Sequence, residues 1–126
     1  MQGAQFSEPT NDHAEPEKIW KARKFIEERC AERISLTQVA SALRMSPTHL
    51  SEKFREVTGT NFVRYIAQAR FETACRLLRE ADLRVSEIGF AVGFQSLSQF
   101  NRVFKKLSGK SPTEYRSRVM ARKQQR

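Results

Sequence analysis

Leu97, Ser98, Asn101, Arg102 and Lys105 stand one, three and four residues apart, a spacing that gathers side chains along one side of a helix. Phe100, Val103, Phe104 and Leu107 fall on the other side and would bury it. The outward set mixes donors, acceptors and one apolar group. A guanidinium pairs bidentately with guanine, a carboxamide with adenine, and Leu97 can meet a thymine methyl group. A second set has the same placement earlier in the chain: with Leu50, Phe54 and Val57 turned inward, Thr48, Ser51, Glu52 and Arg55 face outward. Glu52 would repel a phosphate unless it is aimed at a cytosine amino group. Lys53, Arg55, Lys105, Lys106, Lys110 and Arg116 surround the two sets with cations suited to phosphate oxygens.

The two sets belong to one motif that occurs twice. Val39, Ala40, Leu43 and Met45 match Ile88, Gly89, Val92 and Phe94 at an offset of 49, and Leu50, Phe54 and Gly59 match Phe100, Phe104 and Gly109 at an offset of 50. The second copy therefore carries one extra residue at its turn. Each copy has the apolar spacing of a helix-turn-helix, which lays its second helix in the DNA major groove. Where the two helices cross, the side chain must be small, and Ala40 and Gly89 occupy that point. The turn favours positive φ, which Gly93 adopts at little steric cost. Arg44 takes that place in the first copy, at a cost of about 1 kcal/mol if the same left-handed geometry is kept.

The surrounding pattern predicts an all-α chain of seven helices, forming two helix-turn-helix lobes joined by a long linker helix. Residues 1–16 are polar, contain Pro9 and Pro16, and read as a flexible N-terminal arm or linker remnant. A first helix starts near Pro16 and buries Ile19, Ala22, Ile26 and Cys30. Helices follow over about 36–43, with Ser35 as N-cap, and about 47–57, closed by Gly59. The N-terminal lobe thus spans 17–60. Residues 61–80 hold no Gly or Pro and form the linker helix, roughly 30 Å long at about 1.5 Å per residue. The C-terminal lobe, 81–126, adds helices over about 85–92 and 96–107, then one from Ser111-Pro112 into a basic tail. Reading helices in successive grooves of one DNA face must lie about 34 Å apart, a span that a single chain with this linker can meet.

Bulk properties agree with a polyanionic partner. The chain has 126 residues and a net charge of +9, although its first 17 residues carry Glu8, Asp12, Glu15 and Glu17 with no Lys or Arg. Neutralising phosphates with such an excess of cations releases counterions. Cys30 and Cys75 lack a second Cys or His at metal-ligand spacing and read as buried reduced thiols, which suits a cytoplasmic setting. No apolar run approaches membrane-spanning length, and no secretory signal opens the chain. No catalytic Ser/His/Asp or Cys/His grouping, metal cluster or phosphate loop is present, so neither an enzyme nor a cofactor is expected.

The run from Ile88 to Arg116, Ile-Gly-Phe-Ala-Val-Gly-Phe-Gln-Ser-Leu-Ser-Gln-Phe-Asn-Arg-Val-Phe-Lys-Lys-Leu-Ser-Gly-Lys-Ser-Pro-Thr-Glu-Tyr-Arg, resembles the C-terminal signature of the AraC/XylS family of bacterial transcription regulators. Leu36, Ala40, Leu43, Ser46, Leu50, Phe54 and Gly59 extend the resemblance to the first motif, and Arg70, Ala74 and Leu78 to the linker. It implies promoter binding through both reading helices. Thr48, Ser51, Glu52, Leu97, Ser98, Asn101 and Arg102 would touch bases, and basic residues and helix N-termini would hold phosphates. It also implies an activator that works with RNA polymerase in the bacterial cytoplasm, at the nucleoid. Two motifs in one chain make a monomer sufficient. Many relatives attach a ligand-sensing or dimerising domain, so an isolated DNA-binding fragment of a larger regulator is an alternative expectation. Within the chain itself no small-molecule ligand is expected. A helical protein-interaction module is the rival from another class; it would bind with weak salt dependence and no preference for duplex sequence.

Overall fold

The computed structural model describes residues 8–124, with side chains from residue 15 onward. Seven helices follow one another: α1 (Glu8–Arg29), α2 (Leu36–Ala42), α3 (Pro47–Thr58), α4 (Phe62–Glu80), α5 (Val85–Ala91), α6 (Leu97–Ser108) and α7 (Pro112–Gln124). Among the described residues there is no strand, and no helix is long and apolar enough to cross a membrane.

The first helix differs from expectation. It begins at Glu8, so residues 8–16 of the expected arm are helical, while residues 1–7 lie outside the described residues. Pro9 stands in the first turn, where a missing N–H leaves no bond unmade. Pro16 lies inside the helix and withholds one intrahelical bond. The helix continues past it because Ile19, Ala22 and Ile26 are buried at helical spacing directly beyond.

The chain divides into two compact units. The first comprises residues up to Arg29 and Ile34–Tyr65, with α2 and α1 both packed on α3. Its buried side chains include Ile19, Ala22, Ile26, Val39, Ala40, Leu50, Phe54 and Phe62. The Phe54 ring meets Phe62 and Tyr65 edge-on, with centroids 5.5 and 5.2 Å away. Such pairs add about 0.5–1.5 kcal/mol beyond area burial. Tyr65 is held in turn: its hydroxyl donates to Glu27 Oε2 and accepts from Arg23 Nε.

The second unit comprises Cys30–Arg33 and Ile66–Arg126. Its core is Ala74, Cys75, Leu78, Ile88, Val92, Phe94, Phe100 and Phe104, with Phe71 and Tyr115 packed against it. Burial pushes the Cys75 thiol up, which keeps it protonated and unreactive. The expected linker helix exists as α4, but its residues are shared: those up to Tyr65 count with the first unit, and those from Ile66 with the second. Ala74 and Leu78 are core residues of the second unit, so this stretch is more than a spacer.

The duplication extends into details of packing. Thr58 Oγ1 donates to the carbonyls of Phe54 and Thr60, and Ser108 Oγ donates likewise to Phe104 and Lys110. Tyr115 stacks edge-on to Phe104 at 5.5 Å and accepts from Arg79, as Tyr65 does with Phe54 and Arg23. The inner face of each reading helix therefore ends on Thr58 or Ser108, four residues beyond the last phenylalanine. Val57 and Leu107, expected inside, are swung outward, 43% and 38% exposed.

Candidate nucleic-acid interface

Local sequence fixes how each reading helix is presented. Ser46 accepts from the backbone N–H of His49, with Pro47 opening α3, and Ser96 accepts from Gln99 at the start of α6. Gly59 and Gly109 close the two helices at φ 81°. The turns leading in are alike. Met45 N–H donates to Ala40 O at 2.9 Å, and Phe94 N–H to Gly89 O at 3.1 Å. Arg44 adopts φ 59°, so the first turn keeps the left-handed residue without a glycine. Gly93 adopts φ 110° and is also crowded, since a Cβ there would lie 2.6 Å from Cys30 O. The extra residue of the second turn is Gln95, whose N–H donates to Gln99 Oε1.

On α6 the sequence-predicted set shares an outward face. Leu97, Ser98, Asn101 and Arg102 are all exposed, and Lys105 and Lys106 are exposed near the C-terminal end. Among the described residues none of these cations forms an ion pair. The helix contains no carboxylate. Its face offers the guanidinium, carboxamide, hydroxyl and branched apolar group that base edges require.

On α3, Thr48, Glu52 and Arg55 are exposed and Ser51 is half-buried. This helix is electrostatically different, because Glu52 and Glu56 offset Lys53 and Arg55. Lys53 Nζ lies 2.7 Å from Glu56 Oε1 and 3.4 Å from Glu15 Oε1. Those partners hold its ammonium above the usual lysine range, Glu56 chiefly and Glu15 next. His49, which the sequence reading did not assign to the interface, bonds Glu15 Oε2 through Nε2 at 2.6 Å. Nothing in the spacing signals that pair, which joins residues 34 positions apart.

Two of the expected phosphate-holding cations need comment. Lys110 is half-buried and lines a cleft of about 170 Å³ with Ser108, Tyr115, Arg118, Val119 and Arg122. Arg116 does not face outward. Its Nε and Nη2 donate to the carbonyls of Leu78 and Ala81 at 3.1 Å, and Nη1 to that of Leu83 at 2.5 Å. α4 ends without a glycine cap; Arg116 serves the Leu78 carbonyl in its last turn and those of Ala81 and Leu83 just beyond, and Lys123 Nζ donates to the Arg79 carbonyl. Its role is therefore a clamp within the second unit. Arg70 acts similarly, donating to the carbonyls of Cys30 and Glu32. Burial lowers the Arg70 pKa from its ordinary value, and the guanidinium remains the charged donor at neutral pH.

Comparison with known proteins agrees with this geometry. A family model described as a helix-turn-helix domain matches residues 39–118. The HTH-type transcriptional regulator YijO of Escherichia coli is 38% identical over 94 residues, covering 75% of this chain and 33% of that protein. The chain spans about a third of the length of such curated relatives. Among solved structures, the C-terminal domain of AraT, a response regulator from Geobacillus stearothermophilus, is 32% identical with a TM-score of 0.76, covering 79% of this chain and 84% of that one. The DNA-binding domain of the global transcriptional factor AdpA, solved in complex with a target DNA, is 27% identical with a TM-score of 0.81, covering 86% of this chain and 97% of that one. Two helix-turn-helix motifs with capped, outward-facing second helices, matched over this much of the chain, place the protein in the AraC/XylS-type family of helix-turn-helix transcription regulators.

Proposed function

We propose that this chain binds duplex DNA sequence-specifically as a transcription regulator, α3 and α6 each entering a major groove, in successive grooves of one duplex. The observation that carries this reading is the outer face of α6. Asn101 and Arg102 stand exposed beside Leu97 and Ser98, on a helix with Lys105 and Lys106 and no acid. An exposed face of that composition matches base edges flanked by phosphates, and it offers neither a catalytic constellation nor aromatic platforms for unpaired bases. AdpA, a protein of the same architecture, was solved on a target DNA.

The two heads contribute unequally. α6 supplies a net positive face and most of the affinity, whereas α3, with its charges offset, supplies selectivity at the second groove. The chain acts as a monomer on a two-part site and serves as an activator working with RNA polymerase in the bacterial cytoplasm. Thr48, Ser51, Glu52, Leu97, Ser98, Asn101 and Arg102 are the base-reading set. Lys53, Arg55, Lys105, Lys106 and Lys110 hold phosphates. Selection of bound duplexes from a random pool at fixed salt tests the reading. It should return two conserved elements centred one helical turn apart. A single element would remove one motif from the interface, and no enrichment at all would overturn sequence-specific binding.

A further inference from the structure

The Glu15 carboxylate bridges two donors on α3, with Oε2 2.6 Å from His49 Nε2 and Oε1 3.4 Å from Lys53 Nζ. His49 and Lys53 are four residues apart, so they project from one side of the helix. A carboxylate that gives one oxygen to each of two donors occupies them as a phosphate would. We propose that Glu15 is a positioning residue of the first reading helix, a built-in phosphate substitute that a DNA phosphate must displace before His49 and Lys53 can engage the duplex.

This inference rests on the DNA-binding reading above and adds a requirement to it. The bond from His49 holds the Glu15 carboxyl below the usual carboxylate range, against a smaller opposing effect of burial and with help from Lys53. The carboxylate is therefore ionised at neutral pH, and a phosphate competes with it for the same two donors. Glu56 is the other acid on Lys53, and Glu52 lies exposed on the same helix. Among the described residues, α6 has no counterpart to this arrangement, since Arg102, Lys105 and Lys106 form no ion pair. Random DNA, held mainly through phosphates, gives little in return for displacing Glu15 at α3. A matched site adds base contacts and does. Glu15 thus weakens target binding by the full cost of its displacement and random-sequence binding by no more than that, because a duplex that leaves α3 unengaged avoids the cost.

The test measures affinity of the full chain for a random-sequence duplex and for a selected target over a salt series. Wild type is compared with Glu15→Gln, and the same change is made in a His49→Gln, Lys53→Gln background. Glu15→Gln should tighten binding to the target about two- to five-fold, the scale of an exposed ion pair. It should tighten binding to the random duplex by no more than this and steepen the salt dependence by up to about one phosphate contact. In the doubly substituted background these effects should vanish. Glu15→Asp, one methylene shorter, should give an intermediate result, and thermal melts of all variants report folding. Unchanged or weaker binding by folded Glu15→Gln overturns the inference, as does an equal gain in both backgrounds, which would mark a general charge effect. If wild type binds no duplex, the DNA reading fails and this inference with it. Normal wild-type binding with no response to Glu15→Gln sinks the inference alone.

Discussion

The Phe100 ring stands where a side chain on residue 89 would have to be: a methyl group added to Gly89 would lie 2.5 Å from Phe100 Cδ2 and 2.9 Å from Cγ. Both atoms belong to the fully buried ring at the centre of the second unit, which has no open side to move toward. Gly89→Ala sets a gain in helix propensity of about 1 kcal/mol against an overpacking cost of about 1–3 kcal/mol. Overpacking should win, and denaturant titration should show a net loss of stability. A more stable Gly89→Ala would mean that the α5–α6 crossing yields more than this contact allows.

Arg44 holds φ 59° in the turn where the second copy has Gly93 at φ 110°. A non-glycine residue in the left-handed region carries a penalty of about 1–2 kcal/mol, part of which glycine regains as lost chain entropy. Arg44→Gly should therefore raise stability by up to about 1 kcal/mol and lift the melting temperature by a few degrees. An unchanged or lower melting temperature would show that the arginine side chain, exposed in the structure, stabilises the turn by some other contact.

Much of this architecture could be read from residue spacing. Ser35 forms the N-cap bond its spacing predicts, Ser46 and Ser96 cap α3 and α6 in the same way, and Gly59 and Gly109 stop their helices because only left-handed backbone reverses the chain there. Apolar character alone puts Val57 and Leu107 inside, but Thr58 and Ser108 continue the line from Leu50–Phe54 and Phe100–Phe104 and bond back to the preceding turn. The partners of Arg116 are backbone carbonyls, which a sequence does not display, so from the sequence its charge points only to a phosphate. One signal was available: α4 ends at Glu80 without a glycine, so its final carbonyls needed a donor from elsewhere. The Glu15–His49 pair gave no such signal, since it depends on the packing of α1 on α3.

The revised position of Arg116 changes what its loss should do. Arg116→Lys keeps the charge but cannot reach three carbonyls with one ammonium in the planar arrangement of a guanidinium. The substitution should destabilise the second unit by about 1–3 kcal/mol, the cost of leaving partly buried acceptors unpaired. Under conditions where the variant is folded, its salt dependence of DNA binding should match wild type. A shallower slope at unchanged stability would return Arg116 to the phosphate set.

Arg102 and Lys105 lie on the same exposed face of α6, three residues apart, and the chemistry of their heads predicts different tasks on DNA. A guanidinium meets guanine O6 and N7 with two parallel bonds, so its removal is felt at one base pair. An ammonium is a point charge that meets any phosphate equally. Arg102→Ala should weaken target binding by about 1–3 kcal/mol, relax preference at a single position and leave random-sequence binding nearly unchanged. Lys105→Ala should weaken target and random duplexes together and reduce the salt slope by about one contact. Both residues are exposed and outside the core, so melting temperatures should stay near wild type and the binding changes can be read directly. If the two variants lose affinity in the same pattern, Arg102 holds a phosphate as Lys105 does, and base reading by α6 falls to Leu97, Ser98 and Asn101.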